Sequence, residues 1–184
     1  MVYHMTVAGL ERDLPICPVN ENLSIAGFVI FGDQELTVAC ARELLKKAPE
    51  YDYLITAEAK GIPLAHEMAR QAGDAKYFVA RKGSKLYMRD TFGVAVRSIT
   101  TDREQHLYLD GSDAKLIKGK RILVLDDVIS TGESLTALEA LVEKAGGIIC
   151  GRMAILAEGE AKDRKDIIYL EPLPLFNPDG TPKG

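Results

Sequence analysis

The sequence predicts an α/β fold, in which a parallel, twisted sheet is flanked by helices. From about residue 25 onward, short apolar segments alternate with longer segments of helical periodicity, and this alternation is typical of parallel sheets. The 184 residues are 47% hydrophobic and 27% charged, which is ordinary for a globular domain and excludes a disordered chain. We therefore predict a single domain over residues 1–184.

The first half of the chain contains three predicted strands, at residues 27–31 (GFVIF), 53–57 (YLITA) and 77–80. Each is a short apolar run, as expected for a buried strand. A helix is predicted after the first strand, with Asp33 as its N-cap. A second helix follows the second strand, and Pro63 lies in its first turn, where proline is tolerated.

The second half begins with a polar, basic stretch, residues 81–119, which contains only short strand candidates at 92–96 and 106–109. A long insertion of this kind in a compact domain is usually functional, so we predict a mobile loop region. The strongest strand prediction follows at 121–125. A helix with leucines on one stripe then leads to a strand at 148–156.

Charge is distributed unevenly along the chain. The formal net charge is −4, yet residues 76–97 contain six lysines and arginines against one aspartate, so they carry +5 and the rest carries −9. A local basic patch on an acidic protein favours a small polyanionic ligand over nucleic acid. The alternative is an ordinary solvated charge run.

The cysteines and the apolar runs indicate a cytoplasmic protein that does not bind a membrane. Cys17, Cys40 and Cys150 are odd in number and far apart, which favours a reducing compartment. Residues 1–15 lack the pattern of a secretory signal. The longest apolar run, residues 25–31, is too short to span a bilayer.

The segment 122–134 (ILVLDDVISTGES) carries the clearest chemical pattern. An apolar strand leads to two adjacent carboxylates, Asp126 and Asp127, and a turn rich in hydroxyl groups then opens a helix. Such a turn can bind a phosphate at the positive end of the helix, and the carboxylates can accept hydrogen bonds from a sugar diol. The alternative is a plain strand-to-helix connection in which Asp127 or Thr131 only caps the helix.

This pattern resembles the 5-phosphoribosyl-1-pyrophosphate (PRPP) motif of type I phosphoribosyltransferases. The resemblance implies that Asp126 and Asp127 bind the ribose hydroxyls. Glu133 stands where the family usually has a small residue, and a carboxylate beside a phosphate is unfavourable unless it points outward. The residues implied to bind the 5′-phosphate are Ser130, Thr131, Gly132, Glu133 and Ser134.

Residues 58–61 (EAKG) follow the second strand and are similar to the E-A-R-G segment of adenine phosphoribosyltransferases. Without that similarity they read as a simple strand-to-helix turn. The resemblance implies a pyrophosphate loop, with an unusual non-proline peptide and contacts from Ala59, Lys60 and Gly61.

Residues 81–86 (RKGSKL) are similar to the segment that opens the mobile loop of the adenine enzymes. The resemblance implies that Arg81, Lys82 and Lys85 bind pyrophosphate, and it implies a homodimer. An exposed basic loop is the alternative. By the same resemblance, Lys60 and Lys85 are the candidate catalytic residues.

Residues 31–33 (FGD) resemble a triplet whose aromatic ring stacks on the purine, which makes Phe31 the candidate base-binding residue, with core packing as the alternative. The base itself stays open. Residues 96–101 lack the tyrosine and glutamate usual in adenine enzymes, and Ser130 stands where 6-oxopurine enzymes usually have an acid.

The resemblance as a whole implies the type I fold, with residues 1–24 and 170–184 as a small hood and 81–119 as the mobile loop region. It implies transfer of phosphoribosyl from PRPP to a purine with release of pyrophosphate, as in purine salvage by adenine phosphoribosyltransferase. Mg²⁺ is expected to be held by PRPP and water rather than by protein ligands. The alternatives are an enzyme for hypoxanthine, guanine or xanthine, and a regulator that binds PRPP or a nucleotide without turnover.

Overall fold

The structure, a computed structural model, describes residues 1–97 and 104–183. It opens with a small antiparallel sheet whose strands are β1 (Val2–Val7), β2 (Leu10–Asn20) and β3 (Leu23–Ala26), in that spatial order. Ala8 and Gly9 join the first two strands, and both have positive φ, as a two-residue hairpin turn of this twist requires. This three-stranded sheet is the hood.

The elements that follow the hood are α1 (Gln34–Leu45), β4 (Tyr53–Ala57), α2 (Ile62–Ala72), β5 (Phe78–Ala80), β6 (Phe92–Arg97), β7 (Glu104–Leu109), α3 (Gly111–Ile117), β8 (Arg121–Ile129), α4 (Glu133–Lys144), β9 (Ile148–Glu158) and β10 (Ile168–Leu173). Helices and strands alternate in most of this part of the chain, but β5, β6 and β7 follow one another directly. The five-stranded main sheet has the order β10-β9-β8-β4-β5, and all its pairings are parallel, whereas β6 and β7 form a separate antiparallel hairpin.

Both faces of the main sheet are buried, which confirms the predicted fold class. Alternate residues of β8 enter different cores, because successive strand residues point to opposite faces. Leu123 and Leu125 pack with α1, α2 and the hood, while Ile122 and Val124 pack with α4. The central strand therefore has an α1/α2 face and an α4 face. Within the described residues, no helix is both long and apolar enough to cross a membrane.

The strand predicted at residues 27–31 is wrong. Its N-terminal residue, Gly27, donates its N–H to the carbonyl of Pro15, but residues 27–30 then run without strand pairing. Phe28 and Ile30 are buried, whereas Val29 and Phe31 are about half exposed. The run is apolar because alternate side chains enter the core, although its backbone joins no sheet.

The largest differences from prediction in the second half are the end of one strand and an additional helix. The strand predicted at 121–125 continues to Ile129, because β8 keeps pairing with β9 through Asp126 opposite Ala154 and Val128 opposite Leu156. Helix α3 was not predicted at all. It lies inside the polar stretch 81–119 and is capped by the Asp110 side chain, which accepts a hydrogen bond from the N–H of Ser112.

The C-terminal boundary of the hood is different as well. Residues 170–173 lie in β10, the edge strand of the main sheet, rather than in a terminal segment. Pro172 is tolerated there because an edge strand has one unpaired side. Phe176, further along, is fully buried and exchanges two backbone hydrogen bonds with Ser24 of the hood. The tail thus does meet the hood, but beyond residue 173.

Candidate active site

The two predicted anion-binding loops lie at the same edge of the main sheet. Residues 58–61 follow β4, residues 130–134 follow β8, and the two strands are paired in parallel, with Thr56 opposite Leu125. Loops at the carboxyl ends of adjacent parallel strands share one crevice, which is where ligands bind in open α/β sheets. The topology therefore brings these two predicted loops together.

The loop after β8 has the form of an anion site. Gly132 has φ +82° and is the N-cap of α4, and among the described residues no side chain caps this helix. The first N–H groups of a helix have no partner inside it, so they are available to an anion. A cavity of about 140 Å³ lies at this loop. It is lined by Asp126 and by the loop residues Ser130, Thr131, Gly132, Glu133 and Ser134.

This geometry does not fit the plain helix cap that was the alternative to a phosphate site. Asp127 and Thr131, the two predicted capping alternatives, do not cap α4. Glu133 is the first residue of α4 and is partly buried in the wall of the cavity. A carboxylate therefore lies beside the place where the phosphate is expected.

Asp127 lies on the α1/α2 face of β8 and is only 3% exposed. Its Oδ2 atom is 2.9 Å from the Nζ atom of Lys60. The contact is an ion pair, since its angles are outside hydrogen-bond geometry. Nζ of Lys60 also donates to the carbonyl of Phe28 at 3.5 Å. The predicted pyrophosphate loop is thereby joined to the predicted ribose site.

Asp126 has the opposite orientation and faces the α4 side, where it lines the small cavity. Its Oδ1 atom accepts a hydrogen bond of 2.9 Å from the N–H of Asp127. Burial of the carboxyl group, and then the neighbouring Asp127 carboxylate, raise the pKa of Asp126 to about 7. The two adjacent acids therefore differ in environment.

The loop after β4 lies close against the sheet. The peptide between Glu58 and Ala59 is cis, which matches the unusual peptide that the resemblance implied. Gly61 is buried, and a Cβ atom at this position would lie 2.1 Å from Oγ1 of Thr56. Ala59 and Lys60 are exposed toward solvent, so their backbone and side-chain groups are accessible to a ligand.

Glu58 connects this loop to the basic segment. Its Oε1 atom is 3.0 Å from Nη2 of Arg81, and its Oε2 atom accepts a 3.0 Å hydrogen bond from the N–H of Lys82. These interactions, the backbone one first, lower the pKa of Glu58. Nη1 of Arg81 donates to the hydroxyl of Tyr87 at 3.0 Å. Arg81, predicted as a pyrophosphate ligand, is thus bound to protein groups in this structure, whereas the Lys82 side chain is exposed and Lys85 is partly exposed.

Phe31 is 51% exposed, so core packing does not explain it. It occupies a turn closed by the N–H of Asp33 and the carbonyl of Ile30 at 3.1 Å, and Gly32 supplies the required positive φ of +80°. Arg12 of the hood holds this turn in place, because its Nε and Nη2 atoms lie 2.6 and 3.0 Å from the two carboxylate oxygens of Asp33. The structure leaves the base-binding role of Phe31 a prediction.

Sequence reasoning missed the role of Arg12. It links two segments that are twenty-one residues apart in the chain, so no local pattern marks it. Residues 98–101, where the tyrosine and glutamate of adenine enzymes are missing, lie outside the described residues. Among the described residues, no group of three or more histidine, cysteine, aspartate or glutamate side chains is placed to hold a metal ion.

Comparison with known proteins concerns the family and the fold of the chain. The family model of the phosphoribosyl transferase domain matches residues 31–172. The hypoxanthine/guanine phosphoribosyltransferase of Methanococcus voltae is 31% identical over 159 residues, which cover 86% of this chain and 81% of that protein. The enzyme of the same name from Methanococcus vannielii is 35% identical over 162 residues, covering 84% and 83%.

Solved structures resemble the fold. The adenine phosphoribosyltransferase of Thermoanaerobacter pseudethanolicus has a TM-score of 0.68 at 20% identity, covering 86% of this chain and 95% of that one. The Saccharomyces cerevisiae enzyme, in complex with adenine and an imino-altritol bisphosphate, has a TM-score of 0.65 at 20% identity, covering 86% and 92%. At these identities the likeness concerns the architecture.

Proposed function

Because the chain belongs to the phosphoribosyl transferase domain family of enzymes, we propose that it transfers the 5-phosphoribosyl group of PRPP to a nitrogen of a purine base. Pyrophosphate is released and a nucleoside monophosphate is formed. The observation that carries this proposal is the Lys60–Asp127 ion pair of 2.9 Å, which joins the predicted ribose and pyrophosphate sites at the edge of the sheet that also bears the uncapped end of α4.

Each part of the crevice has a role in the proposed reaction. The loop 130–134 binds the 5′-phosphate, and Asp126 and Asp127 orient the ribose through its hydroxyls. Backbone groups of residues 59–61 and the ammonium groups of Lys82 and Lys85 bind the pyrophosphate. Bond breaking runs ahead of bond making, so the ribose becomes oxocarbenium-like and the protein mainly positions the reactants and stabilises the departing charge.

Lys60 has the most central position in this scheme. Its side chain is 46% exposed, and its ammonium group contacts the nearly buried Asp127, so one cation faces both the ribose site and the leaving group. Mg²⁺ neutralises pyrophosphate charge when it is bound. We propose that PRPP and water provide its ligands, because Asp126 and Asp127 project to opposite faces of β8 and do not converge on one ion.

Two purine classes are candidates for the base. Hypoxanthine or guanine is supported by the names of the relatives at 31% and 35% identity. Adenine is supported by the motifs at residues 58–61 and 81–86, which resemble adenine enzymes. We place the 6-oxopurines first, because those relatives cover more than four-fifths of the chain, whereas the two motifs are short.

A pyrophosphate-release assay with Mg²⁺ and PRPP, run in parallel with adenine, hypoxanthine, guanine and xanthine, tests the proposal. We expect turnover with hypoxanthine or guanine. Turnover with adenine alone would reverse the order of the two candidates. The absence of turnover with all four bases, together with tight PRPP binding in calorimetry, would favour the regulator instead.

We also propose a cytoplasmic homodimer. Support for the dimer comes from the basic segment, where Leu86 and Tyr87 expose large apolar surfaces, with Tyr87 at 66%, since exposed apolar groups beside a ligand site often mark an interface. Sedimentation velocity should give about twice the 20.1 kDa chain mass, and a single-chain mass would contradict the dimer.

The cytoplasmic location is supported by three free cysteines.

A further inference from the structure

Arg164 lies next to the predicted phosphate loop, although it follows that loop by thirty residues in the sequence. It follows the short 3₁₀ turn Gly159–Asp163, and its N–H donates to the carbonyl of Ala161. A cavity of about 380 Å³ is lined by this turn, by Arg164, and by Ser130 and Thr131 of the loop. The glutamates Glu158 and Glu160 also line it, so the guanidinium lies in an acidic setting.

The guanidinium group has a fixed orientation. Its Nε and Nη2 atoms donate to the two carboxylate oxygens of Asp166, at 2.9 and 2.6 Å. A bidentate pair of this kind holds the plane of the guanidinium. Asp166 is in turn 3.7 Å from Arg152, which forms an ion pair with Glu139 of α4. The network anchors Arg164 to the helix that the phosphate loop opens.

The remaining nitrogen, Nη1, is directed at Gly132. A Cβ atom built on Gly132 would lie 2.8 Å from Nη1, so the guanidinium occupies the space that a side chain would need. Gly132 has φ +82°, which already favours glycine. The close approach brings the positive end of the Arg164–Asp166 ion pair next to the backbone that is expected to receive the phosphate.

The charge balance of the loop makes this approach significant. Asp126 and Glu133 line the small cavity, and carboxylates disfavour a bound phosphate. The N–H groups at the start of α4 contribute only a partial positive charge. The Arg164 guanidinium lies on the side of Gly132 that a Cβ atom would occupy. Because Asp166 already pairs with Arg164, it is the positive end of this ion pair that the turn meets.

We propose that Arg164 is a positioning residue for the 5′-phosphate, which holds the Gly132 turn and offsets the carboxylates beside it. The inference rests on the proposed function, because it requires a phosphorylated sugar in the loop. It concerns only the phosphate end of the substrate. Pyrophosphate binding, which we assign to residues 59–61 and the basic segment, should not depend on Arg164.

The test compares Arg164→Met, Arg164→Lys and the matched control Lys165→Met, an exposed neighbour on the same segment. Calorimetry measures the Kd for ribose 5-phosphate and for pyrophosphate, and steady-state assays give the KM for PRPP and for the base. We expect Arg164→Met to weaken ribose 5-phosphate binding about tenfold and to raise the KM for PRPP. Arg164→Lys should have an intermediate effect, and Lys165→Met should match the wild type.

Pyrophosphate binding and the base KM should stay within about twofold of the wild type in all three variants. Unchanged ribose 5-phosphate binding in Arg164→Met would overturn the role of Arg164 and leave the proposed function intact. Equal loss of ribose 5-phosphate and pyrophosphate binding would indicate a structural role and also overturn it. If Arg164→Met fails to fold, Arg164→Lys and Asp166→Asn decide, and wild-type affinity in both contradicts the proposal. If the wild type binds neither ribose 5-phosphate nor PRPP, the proposed function itself is contradicted.

Discussion

Asp126 and Asp127 show how much two neighbouring residues of one type can differ. The Asp127 carboxylate is buried and paired with Lys60, while burial and the Asp127 carboxylate raise the pKa of Asp126 to about 7. Strand geometry is the reason, since adjacent residues project to opposite faces and meet different neighbours. The sequence predicted both acids as ribose ligands, but it contains no signal for this difference in environment.

Asp127→Asn should preserve the fold and impair use of PRPP. The amide keeps the size of the side chain but loses the charge that pairs with Lys60 and that accepts strongly from a diol. We expect kcat/KM for PRPP to fall by about 10- to 100-fold, as for loss of a charge-assisted hydrogen bond. Steady-state pyrophosphate release measures this, with the exposed Asp163→Asn as the control. Wild-type kinetics in Asp127→Asn would contradict the assigned role.

Asp126 should make a pH-dependent contribution to stability. Its folded pKa of about 7 is above the ordinary value of about 4, so the folded state retains a proton that the unfolded state has lost. The contribution to the free energy of unfolding is therefore complete below pH 4, declines as the pH rises, and is gone above pH 7.

The variant Asp126→Asn measures this contribution, because its amide does not titrate. We expect the variant to be more stable than the wild type at pH 8, by on the order of 2 kcal/mol, and the difference to shrink toward pH 4.5. Chemical denaturation at a series of pH values provides the measurement. A stability difference that is independent of pH would show that the Asp126 pKa is not raised.

Among the helices and strands, the ones predicted best from the sequence are those that a local pattern of apolar residues defines. β4 was predicted to the residue because the strand is buried and all but Thr56 of its residues YLITA are apolar or aromatic. The end of β8 was missed because Asp126 and Asp127 look like turn residues, although pairing with β9 continues past them to Ile129. Distant pairing partners determined that boundary, and they leave no mark within a short window.

The packing of the pyrophosphate loop against β4 gives a prediction of its own. A Cβ atom at Gly61 would lie 2.1 Å from Oγ1 of the buried Thr56, so Gly61→Ala should push the loop away from the sheet. We expect a loss of about 1–3 kcal/mol in the free energy of unfolding, together with a higher KM for PRPP. Urea denaturation and kinetics check both effects.

Gly83→Ala is the matched control, since a Cβ atom there has no heavy atom within 4 Å. This variant should stay within about 0.5 kcal/mol of the wild type. Equal stability of the two alanine variants would show that the close approach of Gly61 to Thr56 is not a constraint.

At the scale of the whole molecule, positive charge is concentrated in one segment and the rest of the chain is acidic. This uneven charge distribution affects how an anionic substrate approaches. The chain carries −4 overall but +5 over residues 76–97. Such a local field raises the rate of encounter with anions and is screened by salt. The charge pattern could be read from the sequence alone, whereas its placement next to residues 58–61 required the fold, through the contacts of Glu58.

Raising the salt concentration from about 50 to about 500 mM should therefore lower kcat/KM for PRPP several-fold, because the Debye length shortens by roughly a factor of three. The KM for the uncharged purine should change by less than about twofold. Steady-state kinetics in KCl provide the comparison. An equal change in both constants would point to a general effect of salt on the enzyme instead of steering.

The carboxylate of Glu58 binds Arg81 and the N–H of Lys82 at the same time, so two segments more than twenty residues apart depend on one side chain. A change at either position alone leaves a partly buried charge or donor without its counterpart. Among descendants of a common ancestor, the acid at 58 and the arginine at 81 should consequently be inherited or replaced as a pair. Laboratory evolution that starts from a Glu58→Gln parent should yield second-site suppressor substitutions preferentially at position 81.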